Sequence, residues 1–79
     1  MNNQEYQAVK TAVESGQPIS QSQYDALSSL NQQYVKHIKD CQKKNDIAQA
    51  MYFRTEQMEI QGVLSSAIIQ KETHPNEQS

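Results

Sequence analysis

Apolar residues recur along this chain at steps of three and four, interrupted by two short polar stretches. The first run is Tyr6, Val9, Ala12 and Val13. The second is Tyr24, Leu27, Leu30, Tyr34, Ile38 and Cys41, with Val35 at its margin. The third begins at Ile47 and passes through Ala50, Met51, Phe53, Met58, Ile60, Leu64, Ala67, Ile68 and Ile69. Steps of three and four place side chains on one face of a helix. The pattern predicts an all-α chain with helices over about 3–15, 21–43 and 47–72, forming a single helical domain over 1–73. The remaining "HPNEQS" at 74–79 is polar, contains a proline and reads as a flexible tail.

The polar stretches carry the chemistry of ordered joints. In "ESGQPISQSQY", Gly16 suits the left-handed conformation that ends a helix, and Pro18 cannot continue one. Ser20 with Gln23 makes a capping box, and Ile19 and Tyr24 stand at the positions of a hydrophobic staple. In "KKNDIAQ", Asn45 supplies a second left-handed stop, and Asp46 caps the next helix with Gln49 three residues on. Asn2 and Glu5 do the same at the start of the first helix. A joint as short as the second one forces the second and third helices to lie antiparallel.

The third helix has the widest apolar face. Projected at about 100° per residue, its apolar positions cover an arc of about 200°, roughly double what one neighbour requires. Helix 1 folds back over the start of the second helix, so it reaches Ile60, Leu64, Ala67 and Ile68 and no further. Ile47, Met51, Tyr52, Phe53 and Met58 are therefore expected to lie uncovered and to form an interface. Two hairpins related by a two-fold axis would cover them as a helical bundle, and a foreign helix would fit the same face.

Composition narrows the class of function. A chain of 79 residues buries a modest core and usually needs a staple or a partner. One cysteine, Cys41, makes no internal disulfide and agrees with a reducing, cytoplasmic setting. No signal-peptide pattern is evident, and no apolar stretch is long enough to cross a bilayer, so no membrane association is expected. Only 35% of residues are hydrophobic, so the case for order rests on periodicity and caps. A net charge of −2 gives no field for attracting nucleic acid.

Catalytic and metal chemistry find little support. His37 and Cys41 lie one helical turn apart, but no orienting residue or oxyanion loop accompanies them, and Cys41 completes an apolar seam. No ligand spacing marks a zinc or calcium site, and no cofactor is expected. Lys36, Lys39, Lys43 and Lys44 oppose the dipole of the second helix. Arg54 projects inside the apolar arc across from Lys36, with Tyr52 and Phe53 beside it. Arg54, Lys36 and Lys39 are thus candidates for binding an anion such as a small nucleotide, with an aromatic face for stacking.

The expectation is a non-enzymatic interaction module. It is a homodimer or higher assembly that acts as adaptor, chaperone or inhibitor of a larger protein. A nucleotide-binding protein is the second reading and a small DNA-binding regulator the third. Helical hairpins serve many roles, and shape alone does not fix function.

Overall fold

The computed structural model describes residues 1–71, and the tail expected at 74–79 lies outside the described residues. Three helices carry the chain: α1 (Asn3–Glu14), α2 (Gln21–Lys43) and α3 (Ile47–Ser66). Each begins on a side-chain cap. Asn2 accepts from the Glu5 amide at 2.7 Å, and Asp46 accepts from the Gln49 amide at 3.2 Å. Ser20 and Gln23 close both arms of a capping box, at 3.0 and 2.8 Å.

The first two helices also end alike. Gly16 sits at φ +75° and Asn45 at φ +58°. After α1, the Gly16 and Gln17 amides return to the carbonyls of Val13 and Ala12. After α2, the Asn45 and Asp46 amides return to Gln42 and Cys41. Both ends are Schellman motifs, which satisfy carbonyls that a helix end otherwise leaves free.

α2 and α3 pack along one another as a hairpin. Their contacts run in opposite directions: Asn31 meets Gln57 and Gln61, and Tyr34 and His37 meet Phe53. α1 lies beside the base of this hairpin, parallel to α3, with Tyr6 and Lys10 at Glu59 and Val13 near Gly62, Val63 and Ser66. The base core joins Tyr6, Val9 and Val13 of α1 to Leu27, Ile60, Val63 and the joint residue Ile19. Leu27 and Ile19 are the most enclosed side chains, at 0% and 2% exposure. Tyr24, the staple partner read from sequence, packs against this cluster.

The periodicity predicts the third helix to continue to 72, but α3 stops at Ser66. Ala67 turns extended, at φ −69° and ψ 139°. The cause lies far away in sequence. Ile19 is buried between a proline and a helix cap, and a buried backbone must find partners. Its amide donates to the Ile68 carbonyl at 2.8 Å, and its carbonyl accepts from the Gln70 amide at 2.6 Å. Ile19 and Ile69 thus form a one-residue parallel bridge, and a helix running past 66 would forfeit both bonds. The early stop also leaves Ile68 at 55% exposure, so α1 does not cover it as expected.

Candidate functional site

The apolar arc of the third helix resolves into two faces. Ala50, Ile60 and Val63 point inward and are buried. Ile47, Met51 and Met58 lie on the opposite side, at 60%, 64% and 64% exposure, with Tyr52 at 60%. Four of the five residues read as an interface are therefore open to solvent on the single chain. This is an apolar band of the kind that marks contact surfaces, and two of its members are methionines, which adapt to varied partners.

The fifth, Phe53, is placed differently from expectation. It is half-buried, because α2 covers it. The His37 ring stacks on it with centroids 5.4 Å apart, and Tyr34 meets it edge-on at 6.0 Å. Tyr52 closes a third side at 5.5 Å. His37 and Tyr34 share one face of α2, one turn apart, and they meet Phe53 only once the hairpin is closed. His37 spends its ring on this stack, and Cys41 is a free, half-buried thiol.

Below the aromatic cluster, the seam between α2 and α3 contains a polar link. Asn31, buried to 7% exposure, accepts from Gln57 Nε2 at 3.0 Å and lies 3.4 Å from Gln61 Oε1 through its own Nδ2. A satisfied amide at a seam position resists slippage, since any shift would strand it without partners. Reading apolar positions alone skips Asn31, although it sits one residue from Leu30 in the stripe.

The link between α1 and α3 is also polar. Glu59 uses both carboxylate oxygens, accepting from the Tyr6 hydroxyl at 2.6 Å and from Lys10 Nζ at 2.9 Å. These two donors hold the Glu59 carboxyl below its usual range. Burial, with Glu59 beside it, pushes the Tyr6 hydroxyl well above its usual range. Next to this link, Lys10, Val13, Glu59, Gly62, Val63 and Ser66 line an open groove of about 370 Å³ between the two helices.

Of the residues read as anion ligands, Arg54 and Lys39 come together and Lys36 does not. Arg54 and Lys39 line a shallow groove of about 220 Å³ with Val35, Ile38, Gln42 and Gln57. Lys36 is exposed outside it. Arg54 makes no ion pair among the described residues. The faces of Phe53 are occupied by its neighbours, and Tyr52, two positions from Arg54 on α3, projects to a different side of the helix and does not line this groove.

Among the described residues, no group of three or more His, Cys, Asp and Glu side chains converges to hold a metal ion. No helix among them is long and apolar enough to cross a membrane. Compared with protein-family models, with curated proteins and with solved structures, the chain finds no match.

Proposed function

We propose that this protein is a non-enzymatic interaction module. It is a helical hairpin that self-associates through the outward face of α3 and serves as adaptor, chaperone or inhibitor of a larger protein. One observation carries the reading. Ile47, Met51 and Met58 remain 60–64% exposed on the side of α3 turned away from the core, and Tyr52 is 60% exposed on the half of the hairpin that α1 does not reach. Hydrating that band costs free energy in proportion to its apolar area, and a second surface laid on it removes the cost. The test is sedimentation at micromolar concentration. The wild type is expected at twice the subunit mass or more, and Met51→Asp with Met58→Asp is expected at the subunit mass with its helical content kept. A wild type that sediments as a monomer defeats the reading.

A second reading rests on the groove shared by Arg54 and Lys39. Two cations without an ion pair among the described residues suit the phosphate of a small nucleotide, the arginine gripping it in bidentate fashion. A ligand bound only by the folded state raises the melting temperature. A thermal-shift screen of nucleotides and cyclic nucleotides tests this, and a flat response across the set removes it.

A further inference from the structure

The outward stripe of α3 has the same spacing in both directions. Ile47 and Met51 are four positions apart, as are Met58 and Gly62, and the stripe is centred between Arg54 and Thr55. All four residues are exposed. A stripe of this kind is self-complementary under a two-fold axis that reverses the helix. Met51 then meets Met58 of the partner subunit, and Ile47 meets Gly62 of the partner subunit. The second pairing sets a large residue against one with no side chain. A Cβ built at Gly62 would meet nothing within 4 Å, so that space is open on the single chain. Gly62 also borders the groove between α1 and α3, which Val13 and Val63 help line beside Lys10, Glu14, Glu59 and Ser66.

Charge selects the same direction. The same centre divides the molecule into two halves of opposite sign. On the tip side, Lys36, Lys39, Lys43, Lys44 and Arg54 face only Asp40 and Asp46, a net side-chain charge of +3. On the base side, Glu5, Glu14, Asp25, Glu56 and Glu59 face only Lys10 and Lys71, a net of −3 over residues 1–71. An antiparallel pair lays each basic tip along the acidic base of the other copy, twice over. A parallel pair lays like on like at both ends. Complementarity of this sort fixes orientation more than affinity. Arg54 lies beside the axis, close to its own symmetry mate, but it lines the groove toward α2, which draws the two cations apart.

We infer that the partner on this face is a second copy of the chain, docked with α3 antiparallel to α3 about an axis between Arg54 and Thr55. This rests on the self-association proposed above and adds its direction and register. The shared stripe from Ile47 to Gly62 is 16 residues, about 24 Å of helix.

Disulfide trapping tests the register. In a Cys41→Ser background, Met51→Cys and Met58→Cys are prepared as separate proteins and oxidised, alone and mixed, with sedimentation run on the same samples. The mixture is expected to yield covalent dimer, while either variant alone yields about ten-fold less, because like positions sit roughly 10 Å apart along the axis, beyond disulfide reach. A variant that bridges to itself as fast as the mixture overturns the antiparallel register. Dimers by sedimentation without bridges in any sample also overturn it, and leave self-association standing. Monomers throughout overturn both.

Discussion

The two halves of this molecule are built differently. At the base, three helices meet, the joint residue Ile19 is sealed beneath them, and Glu59 ties α1 to α3. At the tip, two helices meet without a third. Ile38 and Ala50 are buried there, and Phe53 is only half covered. α3 runs through both halves with apolar residues all the way, and its inward side has two helical neighbours at the base and one at the tip. α1 ends at Glu14 after 12 residues, and its length sets the boundary. Where it stops reaching, Tyr52 lies open, while Ile47, Met51 and Met58 face away from the core along both halves. The contrast shows how a short helix leaves the far half of a longer one unaccompanied.

Breaking the base should have the largest effect. Leu27 is fully enclosed, and Leu27→Ala is expected to cost about 2–5 kcal/mol, read as a lower midpoint in urea denaturation. At the tip, Met51→Asp should leave subunit folding near wild type and weaken association by about 2 kcal/mol or more, read by sedimentation across a dilution series. The same contrast appears in a single residue at Gly62. A Cβ at Gly62 meets nothing within 4 Å on the subunit, and Gly62→Leu removes a glycine from a helix. It should raise the stability of the isolated subunit by up to about 1 kcal/mol and yet loosen the dimer, because Ile47 of the partner subunit loses its space.

A smaller effect sharpens the comparison by pH. Glu59 is held below its usual carboxyl range in the folded state by the Tyr6 hydroxyl and the Lys10 ammonium. Its contribution is therefore present above the ordinary carboxyl pKa and is lost as pH falls through the folded value. The side chain is 42% exposed, so solvent screening limits the contribution to about 1 kcal/mol or less. Glu59→Gln should lower the melting temperature slightly at pH 7, and the gap from wild type should close as pH falls below the ordinary carboxyl range. A gap that persists unchanged in acid shows that the carboxylate charge is not what ties α1 to α3. The smallest effect expected is at Arg54. Arg54→Gln removes a like charge beside the proposed axis and should tighten the dimer by a few tenths of a kcal/mol at low salt, fading as salt is added.

What could be read from sequence was local chemistry. Asn2, Ser20 with Gln23, Gly16, Asn45 and Asp46 each act within four residues of themselves, and each sits where its side chain or its φ preference requires. The band at Ile47, Met51, Tyr52 and Met58 was legible too, since helical projection needs only the order of residues. The end of α3 was not. Ser66 and Ala67 carry no strong stop signal, and the stop depends on Ile19, more than forty residues earlier. Nor was Phe53 separable from its exposed neighbours, because its cover comes from Tyr34 and His37 across the hairpin. Asn31 was passed over for a related reason: a polar residue belongs in a seam only when the opposite helix offers Gln57 and Gln61 to receive it. Positions governed by one helix could be read; positions governed by the meeting of two could not.

The pairing of Ile19 with the segment after α3 has a kinetic consequence. The hairpin closes through near neighbours, whereas this bridge waits for chain segments about fifty positions apart to find each other. The Ile19 and Gln70 amides therefore report a late event. Under deuterium exchange they should open together, as one latch, while the amides in the middle of α2 stay closed.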